Sequence, residues 1–151
     1  GGVAVNLHGY SRTTGDLDIL LDLDTANVGR FLKAVKDLGL KPSAPIRLNE
    51  LVDPAKRKLW IREKNLKALS FYDPKEPLLS LDVLIDFKID FAGAYKQKKS
   101  PSLEKGNLPL ISLENLIELK KNSNRQRDKT DIRALQTIQR MDREKSGKKN
   151  S

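Results

Sequence analysis

The stretch Asp16-Leu-Asp-Ile-Leu-Leu-Asp-Leu-Asp24 constrains this chain more than any other. Leu17, Ile19, Leu21 and Leu23 share one parity, and Asp16, Asp18, Asp22 and Asp24 share the other. A period of two is the mark of a strand with one buried face. Such a strand needs a sheet that buries the leucines and a setting that tolerates the acids. The second demand is the harder one. Carboxylates two residues apart on one face, roughly 7 Å along the strand, repel unless they are well solvated or a cation lies between them.

The remaining elements follow from periodicity and punctuation. Thr25 is read as an N-cap, followed by Val28, Phe31, Leu32, Val35 and Leu38 at helical spacing, with Gly39 as the stop. Residues 41–45 form a turn-rich connector, and Pro54 opens a short helix or an irregular basic insertion that Trp60 packs down. Residues 66–73 and 78–87 read as strands joined in a hairpin across the Pro-Lys-Glu-Pro breaker at 74–77. Residues 91–99 suggest a short helix, then a polar loop through Gly106, then a short strand or extended lead-in at 108–112. Ser112 caps a helix carrying Leu113, Leu116, Ile117 and Leu119. Residues 122–128 interrupt it, and a last helix carries Ile132, Leu135, Ile138 and Met141. This order predicts an α+β fold: a small mixed β-sheet flanked by helices, with a C-terminal helical extension. The expected organisation is a core over 1–111, helices over 112–144 packed on that core, and a disordered basic tail over 145–151.

Charge is distributed unevenly. The net charge of +9 divides into −1 over residues 1–40, +5 over 41–67, −2 over 68–119 and +7 over 120–151. Two basic segments therefore flank an acidic centre, either as solvated helix faces or as a surface for phosphates or RNA. With no Cys, neither a disulfide framework nor a thiolate metal site can form, which fits a reducing, cytoplasmic setting. No apolar run approaches a membrane span and no signal-peptide pattern is present, so no membrane partner is expected.

The chemistry lies in the acids. Asp16 and Asp18 form an Asp-x-Asp pair of the kind that holds Mg²⁺ together with substrate phosphates. Asp22 and Asp24 stand close to the next helix and are read as structural, facing the positive end of its dipole. Asp82 lies in the apolar run Leu78–Phe87, a costly place for a carboxylate without a partner or a purpose. If its strand lies beside the first, three carboxylates converge as in a two-metal phosphoryl-transfer site. Asp86 is the rival for the third position, and Asp82 is preferred. Arg12, Thr13 and Thr14 add donors ahead of the strand, and Gly1-Gly2, in a loop before them, would let backbone approach a triphosphate.

Gly1-Gly2, then Asp16-Leu-Asp18-Ile, then Leu81-Asp82-Val-Leu resemble in order and spacing the DNA polymerase β-like nucleotidyltransferase superfamily. The wording Gly-Gly-Val-Ala, His8-Gly9 and Arg12-Thr-Thr-Gly-Asp16 is closest to a prokaryotic subgroup that includes abortive-infection type toxins. That subgroup carries a second signature, matched by residues 113–135: Lys120 falls on its lysine, Arg125 on its arginine, and Asp128 and Asp131 on its acids, with Arg127 replacing a lysine. The resemblance covers residues 1–24, 78–91 and 110–136; the basic middle, 41–67, is unmatched. The family places a helix and a strand ahead of Gly-Gly, so the resemblance implies either that this chain lacks that strand or that the numbering starts inside a longer protein.

The resemblance implies transfer of a nucleoside monophosphate from an NTP to an acceptor hydroxyl with release of pyrophosphate. It implies Mg²⁺ or Mn²⁺ on Asp16, Asp18 and Asp82, with Asp82 also accepting a proton. Nucleotide binding would fall to Gly1, Gly2, Arg12, Thr13, Lys120, Arg125 and Asp128, with Lys120 neutralising charge on the triphosphate. The acceptors implied are a tRNA end, another RNA or a protein hydroxyl, and an antitoxin protein is the partner expected of a toxin member. His8 is expected to be structural. Two other readings stay open: an inactive binding or partner module of the same fold, and a nuclease with clustered acids.

Overall fold

The computed structural model describes residues 1–76, 78–104, 106–123 and 125–148. Pro77 of the expected hairpin breaker, Asn124 of the interruption and positions 149–151 of the expected tail lie outside the described residues. In chain order the elements are α1 (Gly2–Leu7), β1 (Asp16–Leu20), α2 (Thr25–Asp37), β2 (Lys41–Pro42), a 3-10 turn (Leu48–Val52), α3 (Pro54–Lys64), β3 (Ala68–Tyr72), β4 (Ser80–Leu84), α4 (Phe91–Lys96), β5 (Ser102–Leu103), β6 (Gly106–Asn107), α5 (Leu113–Lys121) and α6 (Gln126–Lys148). This is a mixed α+β fold with flanking helices and a long C-terminal helix, as the sequence predicts. No helix among the described residues is long and apolar enough to cross a membrane.

The chain divides into two compact units, Thr14–Phe87 and Gly1–Thr13 with the segment from Lys88 onward. Val5 of α1 is buried in one cluster with Leu113, Leu116, Ile117 and Leu135 of α5 and α6. Packing between residues more than a hundred positions apart leaves no trace in local composition.

In the Thr14–Phe87 unit, a four-stranded sheet runs in the order β1-β4-β3-β2. β1 and β4 are parallel, and the β3–β4 and β2–β3 pairs are antiparallel. Residues paired across the strands share a face. Ile19, Leu69, Phe71, Leu81 and Val83 share one face, which packs with Val28 and Val35 of α2, Leu51 and Trp60 into the core of this unit. Phe31 meets Phe71 edge to face at 5.7 Å. Trp60 does hold α3 down, and Pro54 opens that helix with Asp53 as its cap. Arg57 on the same helix is buried and donates to the carbonyls of Leu51 at 2.5 Å and Leu23 at 3.0 Å. One side chain thereby satisfies two loop acceptors that would otherwise be costly to enclose.

Local signals mostly land where expected, with shifts at the ends. The cap of α2 is Asp24 rather than Thr25: its Oδ1 accepts from the Asn27 amide at 3.0 Å. Aspartate offers a charged acceptor to the helix N-terminus, where a threonine would offer a hydroxyl. β1 ends at Leu20, short of the full alternating run, because Asp22 and Asp24 turn into that cap; the Asp22 side chain accepts from the Asp24 amide at 3.3 Å. Gly39 follows α2 at φ +71°, a left-handed turn that suits glycine.

In the other unit, residues 2–7 form a helix instead of part of a loop, and a small β5–β6 hairpin interrupts the expected polar loop. Ser112 caps α5 by accepting from the Asn115 amide at 3.2 Å. α6 begins at Gln126, inside the expected interruption, and continues to Lys148, beyond the expected start of a disordered tail at 145.

Candidate functional site

Asp16, Asp18 and Asp82 come together on the sheet of the Thr14–Phe87 unit. β1 and β4 pair with Asp18 directly beside Asp82, and Asp16 beside Ser80. Adjacent strands lie about 4.8 Å apart, so Asp18 and Asp82 are backbone neighbours. All four belong to the face opposite the apolar core, where Ser70 is also paired with Asp82. The Ser80 hydroxyl donates to Asp16 Oδ1 at 2.7 Å, orienting that carboxylate. Asp86, the rival third acid, lies past the end of β4 in an exposed bend, where its amide donates to the Lys67 carbonyl.

Three carboxylates on one face supply hard oxygen donors, the chemistry that suits Mg²⁺ or Mn²⁺. Among the described residues, no group of three or more His, Cys, Asp or Glu side chains is placed to hold a metal ion.

The other expected residues belong to the second unit, and there a different cluster forms. Lys120 is 7% exposed, and its Nζ lies 2.7 Å from both Asp128 Oδ1 and Asp131 Oδ2. Asp131, 1% exposed, also meets Arg12: Nη2 donates to Oδ2 at 3.1 Å, and Nε faces Oδ1 at 3.0 Å as an ion-pair contact outside hydrogen-bond alignment. Arg12 is held in turn by Asn6, whose side chain donates to the Arg12 carbonyl and accepts from its amide, both at 2.9 Å. The Arg12 Nη1 donates to the Thr13 carbonyl at 3.2 Å. The Ser123 hydroxyl donates to Asp128. Two cations and two anions thus form one network, buried at Lys120 and Asp131 and half-buried at Arg12 and Asp128, that ties the segment after α1 to α5 and α6.

Burial pushes the Asp128 carboxyl up, but hydrogen bonds from Lys120 and Ser123 and the charges of Lys120 and Arg125 outweigh it, so its pKa falls below the ordinary value. Asp131 matches an acid of the second signature but has no assigned role in the sequence reading. Its signal is in the sequence, since Asp128-x-x-Asp131 places both acids on one face of a helix. Its partnership with Arg12 has no such signal. Of the remaining expected phosphate binders, Gly1 and Gly2 open the six-residue α1, and Arg125 is exposed just before α6.

His8 has a structural setting. Its Nε2 bonds with the Ile111 carbonyl at 2.9 Å, which makes that nitrogen the protonated one. Burial lowers its pKa, although the Ile111 carbonyl partly opposes the shift. The ring is neutral at pH 7. Tyr95 stacks on Phe91 at 5.7 Å, with the Lys98 ammonium 4.0 Å from its ring centre.

No protein-family model matches the chain, and a search of curated proteins finds no match.

Proposed function

We propose that this chain is a divalent-metal-dependent nucleotidyltransferase that moves a nucleoside monophosphate from an NTP to an acceptor hydroxyl and releases pyrophosphate. The observation that carries the reading is the parallel register that puts Asp18 beside Asp82, with Asp16 two residues along on the same face. A solvent-only role would not require a carboxylate at the centre of β4, between Leu81 and Val83.

In this reading Asp16 and Asp18 hold the cation, and Asp82 both helps hold it and accepts the proton of the attacking hydroxyl. The hydroxyl oxygen forms its bond to the α-phosphorus as the bond to the pyrophosphate oxygen breaks. When bound, the cation neutralises phosphate charge and favours the ionised nucleophile. Ser80 keeps Asp16 oriented through its hydrogen bond. The resemblance assigns nucleotide contacts to Gly1, Gly2, Arg12, Thr13, Lys120, Arg125 and Asp128. Because Arg12 and Lys120 are engaged by Asp131 and Asp128, we assign them first to holding the N-terminal segment in place.

The test incubates the full chain with Mg²⁺ or Mn²⁺, each of the four NTPs, and RNA or protein fractions, and measures pyrophosphate. Metal-dependent release that is lost in Asp16→Ala/Asp18→Ala supports the reading. Absence of release, together with no metal-dependent shift in melting temperature with or without NTP, overturns it in favour of a non-catalytic module. Cleavage of RNA without pyrophosphate release would assign a nuclease instead.

A further inference from the structure

The net charge of α6 understates the charge it presents to solvent. Residues 126–148 carry seven basic and four acidic side chains. Asp128 and Asp131 turn inward and are neutralised by Lys120 and Arg12. All seven basic side chains are exposed, leaving only Asp142 and Glu144 to oppose them. The fold therefore sorts the charges of one helix, acids inward and cations outward.

The outward cations are also ordered. At about 100° per residue, Lys129, Arg133, Gln136 and Arg140 fall on one stripe opposite Asp131 and Leu135, and Arg143 continues along its edge. Among the described residues, none of these four cations forms an ion pair. Like charges one turn apart destabilise a helix, and the acids nearest the stripe are Glu144, one turn from Arg140, and Glu114, within electrostatic reach of Arg143, so the stripe keeps a net positive charge. Its complement is a chain of regularly spaced anions.

We propose that the outward face of α6 docks single-stranded RNA through its phosphate backbone. Guanidinium groups take phosphate oxygens two at a time. Gln136, in the middle of the stripe, can both donate to and accept from a ribose 2′-hydroxyl, which DNA lacks. A stiff duplex cannot bend to follow a helix of about 34 Å, whereas a flexible single strand can. A lipid surface is disfavoured because the apolar side chains of α6 face α5 and α1, leaving Met141 as its exposed large hydrophobic residue. The proposal goes beyond the nucleotidyltransferase reading and does not rest on it, since docking needs neither metal nor NTP.

The test is fluorescence anisotropy of a 20-nucleotide unstructured RNA with the full chain, in EDTA and without NTP. Four phosphate contacts to a single strand give a slope of log affinity on log salt of about −3, a loss of about 50-fold between 50 and 200 mM salt. Lys129→Glu/Arg133→Glu/Arg140→Glu should weaken binding by about 100-fold at 100 mM salt and flatten the slope. Arg133→Lys/Arg140→Lys keeps the charge but loses the paired contacts, so it should weaken binding by much less than the Glu triple and leave the salt slope unchanged. The control Lys56→Glu/Lys58→Glu/Arg62→Glu makes the same charge change on exposed positions of α3 and should keep the wild-type slope. Circular dichroism verifies folding; if the Glu triple unfolds, the Gln triple at the same α6 positions takes its place. Equal loss in the α3 and α6 triples, a slope near zero, or tighter binding to duplex DNA, an acidic peptide or anionic vesicles overturns the proposal.

Discussion

Two carboxylate groups in this molecule are built in opposite ways. On the sheet, Asp16, Asp18 and Asp82 gather on the face away from the core, with hydroxyl neighbours. In the helical unit, Asp128 and Asp131 are enclosed and matched one for one by Lys120 and Arg12. The first group sets like charges side by side on one face, and the second pairs its acids with cations inside the protein.

The largest effect that tests this contrast is on stability. Asp131→Ala leaves Lys120 and Arg12 with less compensation in a buried site and should cost about 3–5 kcal/mol, measured by urea unfolding. Asp82→Asn removes one of three like charges and should leave unfolding within about 0.5 kcal/mol of wild type, while abolishing pyrophosphate release if the proposed chemistry holds. Equal destabilisation by the two changes would erase the distinction between the groups.

A third carboxylate of the opening run sharpens the comparison further. Asp24 is exposed but has a backbone partner at the start of α2, so Asp24→Ala should cost about 1 kcal/mol, with no effect on metal-dependent behaviour. The smallest effect concerns pH. The folded His8 has a lowered pKa, so its neutral form is favoured by folding. Its contribution is complete above the unfolded value of about 6.5 and is lost as pH falls through the lower folded value. His8→Gln keeps a donor for Ile111 and should flatten the stability profile over that acid limb. Asp128, also lowered, acts further down: its contribution is complete above the ordinary aspartate range and disappears as pH drops below it.

Much of the fold was legible because its signals are local. Alternation marked β1, Ser112 and Gly39 marked helix ends, and Pro54 marked the start of α3. The sheet acids were legible too, since Asp-x-Asp fixes a shared face and Asp82 stood out as a charge among aliphatics. Local propensity does not mark the helix in 2–7, because two glycines and a short run carry little helical preference and α1 owes its place to Val5 packing on α5 and α6; the family resemblance alone puts a helix-like stretch before Gly9. Arg12 was assigned to phosphate for the same reason: nothing near it in sequence announces Asp131.

By itself, the sequence determined which residues alternate, which helices are capped and which acids share a parity, because these depend on backbone periodicities of two and 3.6 residues. Only the tertiary structure decided that Asp18 lies beside Asp82, that Asp131 joins Arg12 to Lys120, and that the acids of α6 turn inward while its cations turn out. Strand register and charge pairing depend on burial between distant segments, and burial is a property of the folded chain as a whole.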